Sequence, residues 1–141
     1  MSDTALDHYK QGMSLFGQDD YPAAIEAYRL ALAERPDWIE ALSALAVALM
    51  RSGDVEEAIV VGKQVAELDP EDPFAQTSLS IFYQRKSQAF EEAGDKEKTA
   101  EWIELAEKAG AKARLLGWKQ ELKTNPNAPP PDNIGDMNVI Q

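Results

Sequence analysis

Apolar and small side chains recur every three or four residues along most of the chain. Between Ala24 and Ala33, for example, the positions at this spacing hold Ala24, Ala27, Tyr28 and Ala31. This is the period of one buried face of an α-helix, whereas strict alternation of apolar and polar residues, the strand pattern, is nearly absent. The pattern therefore predicts an all-α fold.

Short polar breaks divide this pattern into helices. Three breaks pair a glycine, suited to a left-handed turn, with an aspartate that can cap the next helix; they read GQDDYP, SGDVEE and AGDKEK. Prolines in RPDW and DPEDPF supply further stops. Gly110 is expected to end the sixth helix. Seven helices are predicted, over residues 4–17, 21–34, 38–51, 55–68, 73–93, 96–109 and 111–123.

One part of the chain returns 34 residues later, where Ala24 aligns with Ala58 and Pro36 with Pro70. A helix–turn–helix unit of this length with small residues at fixed positions resembles the tetratricopeptide repeat. The resemblance covers residues 5–110 and implies three repeats, at 5–38, 39–72 and 73–110.

The resemblance implies an α-solenoid, a right-handed superhelix of helix pairs in which stacked neighbours share a core. Gly12 and Ala24 are small, and we expect the two helices of the first repeat to approach closely there. Leu15 and Tyr28 are large and are expected to fill the gaps toward the neighbouring helix.

The third repeat departs from the period, because its Gly-Asp turn at Gly94 lies 41 residues after the one at Gly53. The seven added residues are nearly two helical turns, so they predict a fifth helix that projects about 10 Å further while keeping its facing. The stripe of Ala111, Leu115, Trp118 and Leu122 then predicts a capping helix over 111–123. Trp118 is expected to cover the open end of the third repeat.

The resemblance also indicates where a partner would bind. In this family the first helix of each repeat lines the concave face, and here that face is apolar and aromatic with cations at one side. The predicted partner-binding residues are Leu6, Tyr9, Lys10, Met13, Phe16, Val47, Met50, Arg51, Phe74, Ile81 and Arg85. The alternative is that several of these side chains only pack between helices, since helical Met and Phe more often belong to a core.

One subclass of the family is disfavoured, namely the co-chaperones that hold a C-terminal carboxylate with Lys, Asn and Arg. The corresponding positions here hold Tyr9, Met13, Ala44, Phe74 and Ser78. None of these can form a charged clamp. The face is instead similar to the apolar grooves of small three-repeat secretion chaperones. The expected partner is an apolar peptide or helix, with Arg51 and Arg85 meeting an acidic residue or a carbonyl.

Composition narrows the range of partners. The chain has 141 residues, 14 Lys and Arg against 25 Asp and Glu, a net charge of −11 and no cysteine. An acidic surface repels phosphate, which argues against nucleic acid and anionic membranes. The longest apolar run, Ala44–Met50, is too short to span a bilayer, and the N-terminus does not read as a signal peptide. A cytoplasmic protein without membrane insertion is expected.

Signals for chemistry are weak. His8 is the only histidine, and no nucleophile motif, phosphate loop or metal-ligand spacing accompanies it. The carboxylate pairs Asp19–Asp20, Glu56–Glu57 and Glu91–Glu92 fall at helix caps and surfaces. We therefore expect no catalytic residue, cofactor or metal. The prediction is a non-enzymatic module for protein–protein interaction, acting as an adaptor, scaffold or chaperone-like protein.

The last residues form a proline-rich tail, which gives predicted domains of 1–123 and 124–141. Pro129–Pro131 would be a stiff spacer, followed by the apolar residues Ile134, Met137, Val139 and Ile140. Composition favours disorder, and the alternative is docking in the chain's own groove or a neighbour's. The second functional hypothesis is a homo-oligomerising scaffold that uses the long fifth helix or this tail.

Overall fold

The computed structural model describes residues 3–132, and every regular element in this range is an α-helix. The all-α prediction is confirmed, and the first five predicted helices agree with the structure to within one residue at each end. The six helices are α1 (Thr4–Gly17), α2 (Tyr21–Glu34), α3 (Ile39–Ser52), α4 (Val55–Leu68), α5 (Pro73–Glu92) and α6 (Lys96–Thr124).

The helices fall into two compact units that divide between Leu68 and Asp69. Unit 1 contains α1 to α4, and α3 packs against both α2 and α4. Unit 2 contains the antiparallel pair α5 and α6. The predicted division into a repeat domain over 1–123 and a tail over 124–141 stays a prediction. Its apolar residues Ile134, Met137, Val139 and Ile140 lie outside the described range.

Aspartates cap the helices at the breaks that the sequence indicates. Each side chain accepts a hydrogen bond from a backbone N–H in the first turn of the following helix, which satisfies one of the otherwise unpaired donors there. The pairs are Ala23 N to Asp20 at 3.3 Å, Glu57 N to Asp54 at 3.2 Å, and Lys98 N to Asp95 at 3.0 Å.

Two of the three breaks also turn through a glycine in the left-handed region, as predicted. Gly53 has φ +97° and Gly94 has φ +79°. In the first break the positive φ of 61° belongs instead to Asp19, because Gly17 is still the last residue of α1. Aspartate tolerates this conformation better than most non-glycine residues.

The close approach of α1 and α2 in unit 1 depends on Gly12. A Cβ atom at this position would lie 2.5 Å from Cε1 and 2.6 Å from Cδ1 of Tyr28, which is far inside van der Waals contact. The absence of a side chain lets the Tyr28 ring lie against the α1 backbone, where it is almost fully buried. The predicted role of the small residue at position 12 is confirmed.

The prediction of seven helices is wrong, because 96–109 and 111–123 form the single 29-residue helix α6. Gly110 does not end a helix: glycine costs roughly 1 kcal/mol inside one but, unlike proline, leaves the hydrogen-bond ladder intact. Its small size has a packing role instead. A Cβ there would approach Ser80 Oγ to 3.4 Å, and Ser80 Oγ donates to the Ala106 carbonyl at 2.9 Å.

The seven-residue extension of α5 packs through an aromatic cluster. The Trp102 ring lies 5.7 Å from Tyr83 and 6.4 Å from Phe90, measured between ring centroids. Lys86 and Lys98 place their ammonium groups 5.4 and 5.2 Å from the Phe90 centroid, within cation–π range. The added length of α5 is therefore held against α6 by the contact between Phe90 and Trp102.

The chain turns back after α6. Trp118 was expected to cover the open end of the third repeat as part of a separate cap. In the structure it lies within α6, and its indole Nε1 donates at 2.9 Å to the carbonyl of Ala128 in the segment that follows. Among the described residues, no helix combines the length and apolar character needed to cross a membrane.

Candidate functional site

The predicted partner-binding residues occupy two surfaces, one in each unit. The surface of unit 1, here called the α1/α3 face, comprises Leu6, Tyr9, Lys10, Met13, Phe16, Val47, Met50 and Arg51. The surface of unit 2 comprises Phe74, Ile81 and Arg85 on α5. A binding role for either set stays a prediction, and each is described by itself.

Tyr9 packs against residues of neighbouring elements and is only partly available to a ligand. Its ring centroid lies 5.9 Å from that of Tyr28 and 4.8 Å from that of Trp38, the residue that precedes α3. The side chain is half-buried. Burial, and then the proximity of Tyr9, raises the pKa of the Tyr28 phenol. Tyr9 therefore both stabilises the packing at this end of the face and contributes to its exposed surface.

The other end of the face is held by Phe16 and Arg51. The Phe16 ring meets Tyr21 edge-on at 5.3 Å, and the Arg51 guanidinium lies 5.9 Å from the Phe16 centroid. Because Arg51 comes from the last turn of α3, this contact joins α3 to α1. The exposed guanidinium also gives the face a cation at its edge.

Between these two ends the face offers apolar surface to solvent. Met13 is 45% exposed, and Leu6, Val47 and Met50 are half-buried. Lys10 is exposed beside them. The arrangement is an apolar patch with two cationic groups, and thioether side chains can adapt to contacts of irregular shape.

In unit 2, Phe74, Ile81 and Arg85 lie along one side of α5 at helical spacing. Phe74 is 78% exposed, and Ile81 and Arg85 are also exposed. The Phe74 backbone N–H donates at 2.9 Å to the Asp72 side chain, which caps α5. The backbone that carries this large exposed ring is therefore held in place at the start of the helix.

Sequence reasoning missed a groove between α5 and α6. It has a volume of about 330 Å³ and is lined by Ser80, Gln84, Ile103, Ala106, Glu107, Gly110 and Arg114. The available signal was the row of residues at helical spacing from Ile103 to Arg114, which the expected helix end at Gly110 concealed. Within residues 3–132 there is no cluster of three or more His, Cys, Asp or Glu that could hold a metal ion.

Comparison with known proteins shows what the chain is similar to. Residues 9–73 match the profile of the tetratricopeptide repeat family, a range that includes most of the first two predicted repeats. Relatives named Photosystem I assembly protein Ycf3 are found in Synechococcus sp. strain CC9605, 27% identical over 128 residues, and in Cyanophora paradoxa, 27% identical over 126 residues. The matches cover 89% and 87% of this chain, which spans about two thirds of each relative, 69% and 68%.

Two solved structures share the fold. The tetratricopeptide domain of Sgt2 from Aspergillus fumigatus is 21% identical with a TM-score of 0.55, and the match covers 96% of this chain and 91% of that one. A chain in the CopN-Scc3 complex is 18% identical with a TM-score of 0.58, covering 88% of this chain and 69% of that one. The helix pairs, the 34-residue period and the close contact at Gly12 agree with this likeness, so the chain has the tetratricopeptide repeat fold and matches that family's profile over residues 9–73.

Proposed function

We propose that the chain is a non-enzymatic protein-interaction module that holds an apolar peptide or helix of a partner protein on the α1/α3 face. The observation that carries this proposal is the exposure of Met13 on a face whose two ends are fixed by packing. A rigid surface loses little conformational freedom when a partner binds, so its contacts contribute more fully to affinity.

The chemistry of the face determines the kind of partner. Exposed thioether and aliphatic groups favour an apolar segment, and Lys10 and Arg51 favour an acidic side chain or a carbonyl on it. The chain is strongly acidic overall, so its surface generally repels acidic groups, whereas the two cations beside this apolar patch attract one here. The expected ligand is therefore an amphipathic segment with a negative charge beside its apolar residues.

The relatives support a chaperone-like role. Their name concerns the assembly of photosystem I, and a module that covers an apolar segment of a protein until assembly would suit such a task. The partner of this chain is accordingly proposed to be a protein subunit with an apolar segment that becomes buried later. Phe74, Ile81 and Arg85 are proposed as a separate contact surface on unit 2.

A peptide library displayed on phage and selected against the full chain provides defined ligands for the test. The affinity of a selected peptide is then measured by calorimetry for wild type and for the double variant Met13→Glu, Met50→Glu. An apolar ligand would bury the two new carboxylates when it binds, which costs free energy. We therefore expect the affinity to fall by at least about tenfold. Tyr9 is left unchanged, because its contacts with Tyr28 and Trp38 also stabilise unit 1.

Leu30→Glu is the matched control. Leu30 is 47% exposed, close to the value for Met13, and lies on α2 outside the α1/α3 face. It should leave the affinity unchanged. If the double variant binds the selected peptides as wild type does, or if Leu30→Glu weakens them equally, the α1/α3 face is not the binding site.

A further inference from the structure

The groove between α5 and α6 in unit 2 has a different character from the α1/α3 face. Its floor is made of small residues, Ala106 and Gly110, and one wall is the exposed aliphatic side chain of Ile103. Ser80 on the opposite helix already donates its hydroxyl proton to the Ala106 carbonyl. Gln84, Glu107 and Arg114 add polar and charged groups to the lining. The groove is therefore of mixed apolar and polar character, and it suits a narrow chain segment that carries both kinds of group.

The stripe of α6 that lines the groove continues beyond it toward the C-terminal end of the helix. Trp118, Arg114, Gly110, Glu107 and Ile103 follow one another at spacings of three and four residues, which places them on one stripe of the helix. A segment that contacts Trp118 and runs antiparallel to α6 would therefore enter the groove at Arg114.

The chain makes this approach immediately after α6. The Asn125 N–H donates to the Glu121 carbonyl at 2.8 Å, and the Ala128 N–H donates to the Asn125 carbonyl at 3.0 Å, which reverses the chain direction. The Ala128 carbonyl then accepts from Trp118 Nε1, and Ala128 is buried. Pro129 and Pro130 are exposed, and Pro131 is half-buried, so the returning segment is again in contact with the protein at Pro131.

We propose that the α5/α6 groove is the docking site of the chain's own residues 133–141, bound within the same molecule. The distance fits: Ile103 lies 15 residues before Trp118, about 22 Å along the helix. The residues from Pro129 to Gln141 can extend over about 40 Å. The segment therefore reaches the far end of the groove with length to spare.

The composition of the segment matches the groove. Ile134, Met137, Val139 and Ile140 supply aliphatic side chains for Ile103, and Asp136 has the opposite charge to Arg114 at the entrance. Pro129, Pro130 and Pro131 restrict the preceding backbone, which lowers the entropy lost when the segment binds. Docking covers Ile103, which is otherwise 43% exposed.

The absence of cysteine from the sequence permits a direct test on the full chain. A nitroxide spin label is attached to the single cysteine of Asn138→Cys, a polar position between the apolar residues. Docking predicts loss of the backbone amide signals of residues lining the groove on α5 and α6, compared with the reduced, diamagnetic label. Unchanged intensities at these amides would overturn the proposal.

Three further samples make the result specific. Ile103→Glu should restore the lost signals, whereas Leu105→Glu, a control of similar exposure at 40% that does not line the groove, should not. An equimolar mixture of spin-labelled protein without ¹⁵N and ¹⁵N-labelled wild type separates the possible sources. Signal loss in this mixture would mean that the segment comes from a second copy, which contradicts docking within one molecule.

Discussion

The two units of this chain use the same helix-pair arrangement with different regularity. The four helices of unit 1 have 14 residues each, whereas the two helices of unit 2 have 20 and 29. Pro36 and Pro70 each follow a helix end by two residues, but no proline occurs within Lys96–Thr124. In unit 1, α2 and α4 end at the repeat length just before these prolines, whereas α6, which contains no proline, continues past it.

The packing of the two units differs in a corresponding way. In unit 1 a glycine admits a large ring, since Tyr28 occupies the space that a Cβ on Gly12 would need. In unit 2 Gly110 faces a smaller group, the Ser80 hydroxyl, and the added length is held by the cluster around Trp102. The close helix contact in unit 1 therefore requires a glycine, whereas the contact in unit 2 leaves room for a Cβ at van der Waals distance.

The largest effect is expected from restoring a stop in unit 2. Gly110→Pro removes the N–H that bonds to the Ala106 carbonyl and introduces a clash within the ladder, so it should lower the free energy of unfolding by about 3 kcal/mol or more. Urea denaturation measures the loss, and amide hydrogen exchange should locate it in α6. Gly110→Ala is the control, and it should be neutral or stabilising by up to about 1 kcal/mol. Equal stability of the proline and alanine variants would show that continuity of α6 is unimportant.

A smaller effect is expected from filling the contact in unit 1. Gly12→Ala places a methyl group against the Tyr28 ring and should lower the free energy of unfolding by about 1–3 kcal/mol, because the ring must move from a packed position. Exchange should accelerate in α1 and α2. Gly17→Ala on the same helix has open space around the new methyl group, so it should not destabilise the protein. An equal change in stability in both variants would contradict a specific role for the Tyr28 contact.

The smallest effect concerns alkaline pH and compares a buried tyrosine in each unit. Burial raises the pKa of Tyr28 and of Tyr83 above the ordinary value. The unfolded state therefore releases these protons first, and stability present below about pH 10 should decrease as the pH rises further. Tyr28→Phe and Tyr83→Phe should each reduce this decrease in denaturation curves measured across that range. An identical pH profile in both variants and wild type would exclude a contribution from the phenols.

The regular part of the fold could be predicted from the sequence because each boundary carries its own chemistry. The caps at Asp20, Asp54 and Asp95 and the left-handed Gly53 and Gly94 are local features, legible without tertiary context. Gly110 was misread because glycine is compatible with both a helix end and a close helix contact. Only the position of Ser80 on the neighbouring helix distinguishes the two.

The candidate site was predictable in its location along the helices but not in the burial of its side chains. Tyr9 and Met13 are both large residues on the outer positions of α1, yet Tyr9 packs against Trp38 while Met13 remains exposed. The difference depends on residues distant in sequence. For the same reason, the α5/α6 groove could not be derived from helix periodicity, since it needs the relative placement of Ser80 and Ile103.

The proposed binding face can be observed directly through the methionines, of which the sequence has only four. Methyl spectra of selectively labelled wild-type protein are recorded while a peptide selected for binding is added. The proposal predicts that the signals of Met13 and Met50 shift together and saturate at the affinity measured by calorimetry. Saturable binding of the peptide with both of these methyl signals unchanged would contradict it.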